Sequence, residues 1–327
     1  MKKIFLYIIF VIILIIAMPI IFTNQFEKTE EVSSNNAIEE IKEKFDYGKF
    51  NKIKLLHSET GRVEELDLDT YLYGVVASEM PADFDIEALK AQAVVARTYT
   101  VYQIKNGSKH EGADICDNST CCQAWISKEN RFARWEENKR EEYWNKIVKA
   151  VDDTKGKFIL YEKEPINALF HSNSGGKTEL SINVWGGDFP YFQCVETSGE
   201  EAYSSYSSEV EISKDELVQK MITNYPNFNI DYSKDDCIKI IELTDSNRVK
   251  KIKIGNIELS GIDVRKIFEL KSSKFDFQIL EKSIKFFCLG YGHGVGLSQC
   301  GSDILAKQGK TYDEIIKYYY KNVEISE

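Results

Sequence analysis

The chain has 327 residues, with 42 basic against 52 acidic side chains and a formal net charge of −10. That balance excludes a nucleic-acid binder, which would need a basic face to neutralise phosphates. With 43% apolar and 29% charged residues, a sizeable core is available and wholesale disorder is excluded.

Lys2 and Lys3 precede an uncharged apolar run, Ile4 to Phe22, long enough to span a bilayer as a helix. The run is longer than the core of a cleaved signal peptide and lacks its small-residue cleavage site. A single transmembrane anchor over 1–23 is therefore expected. The lysines would stay inside by the positive-inside rule, with the rest of the chain outside the membrane. Such a placement argues against nucleotide ligands. Residues 24–46 are polar and acidic and read as a linker.

Residues 47–66 alternate weakly about Glu59-Thr60-Gly61 and predict a hairpin. Asp69 or Thr70 is placed to cap a helix through Val75, Val76 and Ala77, which Pro81 ends. Asp85 is placed to cap an Ala-rich helix over 86–104 that stops at Asn106-Gly107. A strongly charged helix is predicted over 131–151. Strands at 157–161 and 166–170, joined by a turn at 162–165, lead into a polar loop at 171–178. Residues 200–284 are lysine-rich and predict a helix near 213–224 with strands at 238–243 and 249–254. An amphipathic helix at 312–320 closes the chain. These elements predict an α+β fold. A mixed helix/sheet catalytic core spans 47–199 and 285–327, interrupted by an inserted domain over 200–284.

Four segments could carry chemistry. In Ala77-Ser78-Glu79-Met80-Pro81, apolar neighbours could desolvate Glu79, raise its pKa and keep it protonated as a general acid. Taken alone the signal is weak, because an isolated glutamate near a helix end is usually a solvated surface residue. In Gly290-Tyr291-Gly292-His293-Gly294-Val295-Gly296-Leu297-Ser298-Gln299, alternate glycines permit close backbone approach to a ligand or a tight turn about His293. The loop His171-Ser172-Asn173-Ser174-Gly175-Gly176-Lys177 ends like a phosphate-binding loop but lacks its first glycine, and its hydroxyls suit a sugar. Finally, His110, Cys116, Cys121 and Cys122 are zinc-type ligands packed into one loop, 110–122. Four protein ligands would close the shell and make the metal structural. A disulfide from Cys116 to Cys121 or Cys122 is the competing reading outside the cytoplasm.

Together these motifs resemble the stage II sporulation protein D family, membrane-anchored lytic transglycosylases of endospore-forming bacteria. The resemblance is carried by Ala77-Ser78-Glu79-Met80-Pro81, the segment Lys90 to Tyr99, and His171 to Gly176. Val184-Trp185-Gly186-Gly187 with Pro190-Tyr191, and Gly292 to Gln299, complete it in the same order. It implies Glu79 as the catalytic acid and a substrate role for Arg97. It also implies a zinc loop, with Cys121 standing where the family carries His. Cys300 departs as well, replacing an aromatic residue.

The implied substrate is peptidoglycan glycan cut at the MurNAc–GlcNAc β-1,4 bond. On that reading Arg97 or Lys177 would hold the lactyl carboxylate. Tyr99, Trp185 and Tyr191 would stack on sugars, and His171, Ser172, Ser174, His293 and Gln299 would line the groove. Implied partners are a cell-wall amidase and a membrane protein of the engulfment complex, between mother cell and forespore. Two other readings remain: a non-catalytic glycan-binding activator of an amidase, and a zinc hydrolase using His171 and His293.

Overall fold

The computed structural model describes residues 47–326. The anchor and linker expected over 1–46 lie outside them. No helix among the described residues is long and apolar enough to cross a membrane.

The first strands, Lys52–Leu56 (β1) and Val63–Asp67 (β2), pair antiparallel in the expected hairpin. Helix α1, Leu68–Glu79, starts where β2 stops, and Asp67 at its N-cap makes no side-chain cap bond. The start thus falls before the expected Asp69 or Thr70, because strand and helix share a boundary with no loop residue between. Met80 leaves the helix in extended backbone, as a residue before proline must. Helix α2, Ile86–Lys105, has Asp85 accepting a hydrogen bond from the Glu87 amide, and its Ala/Val-rich body is buried.

Ile115–Cys116 (β3) runs parallel to β1. The single helix expected over 131–151 is two, Lys128–Phe132 (α3) and Arg140–Asp152 (α4). Between them the chain turns so that Trp135 packs edge-on against Tyr143, 5.5 Å between centroids, and under the Arg131 guanidinium. Aromatic packing overrides helix propensity there.

Ile159–Tyr161 (β4) pairs with Glu164–Pro165 (β5) across a two-residue turn in which Glu162 and Lys163 both have positive φ. Phe170–His171 (β6) does not return to β4, contrary to the expected strand pair. It pairs parallel with a late strand, Leu297–Ser298, described below. A short helix, Ile182–Trp185 (α5), follows.

Between residues 207 and 289 the chain builds Ser207–Ser213 (β7), Lys214–Asn224 (α6), Ile238–Leu243 (β8) and Val249–Ile254 (β9). Ile257–Ser260 (β10), Gly261–Ile267 (α7), Phe275–Ile279 (β11) and Ser283–Leu289 (β12) complete it. Two three-stranded sheets, β10-β9-β8 and β11-β12-β7, enclose an apolar cluster that includes Leu217, Met221, Ile252, Val264, Phe268 and Phe286. The late strand Leu297–Ser298 (β13) then leads into Gln299–Lys307 (α8), Tyr312–Tyr319 (α9) and Glu324–Ile325 (β14), which pairs with β4. Helix α2 is central, in contact with α1, α4, α8 and α9. The parallel β6–β13 pair and the α1–α2–α8 packing together bring the glycine-rich segments towards Glu79.

Candidate active site

Glu79 is the last residue of α1. The Ala124 amide donates to its Oε1 at 2.6 Å, and the Gln299 side chain also hydrogen-bonds to it. Met80 and Phe84 beside it are buried. Protein surrounds most of the carboxyl, yet the residue keeps a partly accessible edge. Burial raises its pKa, while the Ala124 amide and Gln299 oppose the rise by stabilising the carboxylate. Burial of this kind favours the protonated carboxyl, which can give its proton to a group entering along the open edge.

Gln299 opens α8. Its Nε2 lies 3.5 Å from Oε1 of Gln92, a fully buried residue of α2, which fixes the amide's orientation. Removing this group should matter through Glu79. We expect Gln299→Ala to lower kcat and to move the alkaline limb of the pH–rate profile upward, since a donor to the carboxylate is lost. An unmoved alkaline limb in that profile would count against the contact.

The Cys300 amide donates to the Ser172 carbonyl at 3.0 Å, tying the 171–178 loop to the start of α8. Inside that loop, Glu200 is fully buried and gathers five protein donors. The Ser174 amide (3.1 Å) and hydroxyl (2.6 Å), the Gly176 amide (3.1 Å), the Thr197 hydroxyl (2.9 Å) and the Ser298 hydroxyl all converge on it. Glu179 is buried too, accepting from Thr244, Ser246 and Asn183. Arg248 reaches in from the 207–289 segment and donates to the carbonyls of Ser174 (2.7 Å) and Lys177 (2.9 Å).

Neither carboxylate was a sequence candidate. Glu200 follows Thr197-Ser198-Gly199, a pattern that reads as surface turn. Breaking such a network leaves several buried donors without partners. Glu200→Ala should therefore destabilise the fold by on the order of 4 kcal/mol, or about 10 °C in Tm, read by thermal unfolding. A shift under about 2 °C would show the network to be dispensable.

His171 and His293 lie with ring centroids 5.7 Å apart. Nδ1 of His171 lies 3.1 Å from the Val295 carbonyl, and its other nitrogen is buried without a partner. His293 accepts from the Val295 amide through Nδ1 and engages the Phe170 carbonyl with its other nitrogen. Burial lowers both pKa values, His171 with help from His293 and Arg248, and His293 to about 3 with help from Arg265. Both rings are neutral at physiological pH and stitch backbone together. Among the described residues the potential metal ligands that cluster in threes or more are His110, Cys116, Cys121 and Cys122, a group that includes neither of these histidines, so the geometry gives no support to a histidine zinc hydrolase. The alternate glycines allow the close packing around them. A Cβ at Gly296 would overlap the Leu169 carbonyl oxygen, and one at Gly294 the Arg248 guanidinium, at positive φ in both cases.

The other sequence candidates divide. Trp185 is 55% exposed, with its ring 4.9 Å from that of His293. Lys177 is paired with Glu196 at 3.4 Å. Ser174, Tyr99 and Tyr191 are inside: Ser174 in the Glu200 network, Tyr99 against the cysteine loop, Tyr191 packed on Phe189 and Phe192. Arg97 is 1% exposed and donates to the carbonyls of Thr154 and Val151 and to Asp69. The cleft it borders is lined by Asp69, Tyr73 and Lys155, and Glu79 is not among the lining residues. Covered groups of this kind hold the scaffold, and direct sugar contact at these four positions is not what the geometry offers.

His110, Cys116, Cys121 and Cys122 present ligand atoms within 4.8 Å of one another. His110 Nε2 lies 3.4 Å from Cys122 Sγ and 3.7 Å from Cys121 Sγ, and the two sulfurs are 3.9 Å apart. Zinc at the usual bond lengths, with tetrahedral angles, sets such edges at about 3.6 Å for N–S and about 3.8 Å for S–S. The residues fit a closed zinc shell that includes both Cys121 and Cys122. Neither disulfide, Cys116–Cys121 or Cys116–Cys122, is formed in the structure, where all three cysteines of the loop are free. The next residue, Gln123, is buried and donates to the Tyr71 hydroxyl (2.8 Å) and Thr100 (2.9 Å). Ala124, which holds Glu79, follows it directly. The loop therefore sets the position of the amide on the carboxyl, a backbone role with no sequence signal.

A family model described as stage II sporulation protein matches residues 57–161. Stage II sporulation protein D of Bacillus subtilis is 36% identical over 81% of this chain and 76% of its own length. The chain belongs to the stage II sporulation protein D family. The Bacillus amyloliquefaciens member is 34% identical over the same shares of the two chains. The amidase enhancer of Bacillus subtilis is 28% identical over 78% of this chain, which spans 40% of that longer protein.

Proposed function

We propose that this member of a sporulation family is a lytic transglycosylase of peptidoglycan. It would cut the MurNAc–GlcNAc β-1,4 bond of peptide-stripped glycan and leave 1,6-anhydroMurNAc ends. The observation that carries this reading is Glu79, a single shielded carboxyl with one open edge, held by the Ala124 amide and Gln299. Hydrolytic glycosidases generally need two carboxylates across the bond. Here one group can act twice, because the nucleophile belongs to the substrate.

Protonated Glu79 gives its proton to the glycosidic oxygen as the C1–O bond breaks. The resulting carboxylate takes the proton of the muramic C6 hydroxyl while that oxygen closes on C1. The carboxyl ends protonated, as it began, and no water is consumed. A raised pKa favours the first step, and the two hydrogen bonds steady the carboxylate for the second. Zinc at His110, Cys116, Cys121 and Cys122 would order the loop that carries Ala124, and no step of the reaction passes through it. The run at Ile4–Phe22 would tether the domain to the membrane, next to an amidase and a membrane partner of engulfment.

The decisive measurement is mass spectrometry of peptide-free glycan digested by the purified chain. Anhydromuramic ends support the enzyme, and their absence at any enzyme concentration rejects it. Kinship with a protein named amidase enhancer favours one second reading, a glycan-bound activator that raises the rate of an amidase. On that reading Glu79→Gln would leave the stimulation unchanged.

A further inference from the structure

Beyond the groups around Glu79, a cationic and aromatic patch lies on the outer side of the glycine-rich segment. Tyr291 is 42% exposed. The Lys271 ammonium sits over its ring at 4.6 Å from the centroid. The Gly292 amide donates to the Lys271 carbonyl at 2.9 Å, which fixes the two chains side by side. Arg265 is partly buried nearby, its Nε donating to the Leu270 carbonyl at 3.4 Å, and its charge bears on Tyr291, His293 and His171.

The cations here differ from most others in the chain. Lysines elsewhere on the surface are largely paired, as in Lys250–Glu242 and Lys285–Glu209. Among the described residues no carboxylate lies within ion-pair reach of Lys271 or Arg265. In a chain of net charge −10, two unpaired cations beside an exposed ring are an expenditure that folding alone does not explain. A partly desolvated guanidinium without an anionic partner is unfavourable until an anion arrives.

The patch is tied through backbone pairing to the segment that carries Gln299, the partner of Glu79. Tyr291 pairs with Asn173 by reciprocal backbone bonds, and Ser298, the neighbour of Gln299, pairs with His171. Asn173 and His171 are two residues apart, about 7 Å along an extended chain. Trp185, exposed against His293, borders the same stretch.

We infer that Tyr291, Lys271 and Arg265 form a subsite for a carboxylate-bearing sugar, the sugar face on the Tyr291 ring and the carboxylate between the two cations. The inference rests on the transglycosylase reading for its substrate. Stripped of peptides, each muramic residue exposes a lactyl carboxylate, whereas GlcNAc carries none. The subsite would therefore report which of the two alternating sugars occupies it, and so set the register of the strand over Glu79. Lys177 and Arg97, the sequence candidates for that carboxylate, have partners of their own.

The test uses a Glu79→Gln background to prevent turnover, and calorimetric binding of two probes of equal length. One is a GlcNAc–MurNAc oligosaccharide, the other a GlcNAc-only oligomer. Lys271→Gln, at an exposed position, should weaken the muramoyl oligomer about 5–10-fold and reduce its salt dependence, with the GlcNAc oligomer unchanged. Lys271→Arg should restore most of the loss, and Tyr291→Ala should weaken both probes. Equal losses for both probes with Lys271→Gln, or no loss for either, would overturn the subsite. The two readings fail separately. Charge-selective binding by a chain that forms no anhydro ends rejects the transglycosylase alone. Anhydro ends without that selectivity reject the subsite alone.

Discussion

Glu79→Gln should abolish anhydromuramic product while leaving the chain folded, a loss of at least about 10³-fold, because one group supplies both proton transfers. Circular dichroism and thermal unfolding of the same variant check the second half of this expectation. The variant should also be the more stable protein near neutrality. The sign follows from the direction of the shift. A carboxyl whose pKa is raised by burial favours the folded state fully only below its ordinary value near 4.5. That contribution is lost as the pH rises through the folded pKa. Glutamine carries no charge to desolvate and keeps an oxygen for the Ala124 amide. Its advantage should therefore grow from pH 4 to pH 8, at about 2–4 °C of Tm for each kcal/mol relieved. Equal Tm values for the two proteins across this range would mean that the carboxyl is not strained by its surroundings, and the proposed acid would lose its physical basis.

Removing zinc should have the largest effect on stability. A structural zinc shell contributes folding free energy outright, on the order of 10 kcal/mol or more in small domains. Here the proposed shell would close one loop of a larger core, so part of the fold should survive without it. We expect one zinc per chain by elemental analysis. Chelation, or His110→Ala, should lower Tm by about 10 °C or more and remove activity, since the Ala124 amide then loses its fixed place on Glu79. Restored zinc should recover both properties together. A zinc-free preparation with unchanged Tm and full activity would refute a structural metal. Loss of activity with Tm unchanged would point instead to a metal acting in the chemistry.

Much of the scaffold could be read from local chemistry. Asp85 before an Ala-rich run, Pro81 after Glu79 and the alternating strands at 238–243 and 249–254 carry their own signals, and the structure has them at those places. Helix α3–α4 was harder, because the interruption comes from Trp135 meeting Tyr143 and Arg131, a packing choice that periodicity does not contain. The partner of β6 was harder still: Phe170 and Leu297 meet across 127 positions of chain.

At the site the same division holds. The residue types suited to react or to ligate are legible in the sequence, Glu79 and the His110–Cys122 set foremost. The groups that place them are not. Ala124 acts through its backbone, Gln92 through a buried amide, and Glu200 through donors drawn from three separate stretches. Conversely, Arg97, Tyr99 and Tyr191 carry chemistry suited to sugars, and only their burial shows that the scaffold uses them instead.

Arg248 has a practical consequence for anyone wishing to shorten this protein. Its guanidinium belongs to the 207–289 segment but fills a socket made by the carbonyls of Ser174 and Lys177, hard against Gly294. Replacing that segment with a flexible spacer would leave two carbonyls facing an empty hole beneath the glycines. A trimmed version for screening or crystallisation would need a redesigned plug at that spot, or it should be made at full length.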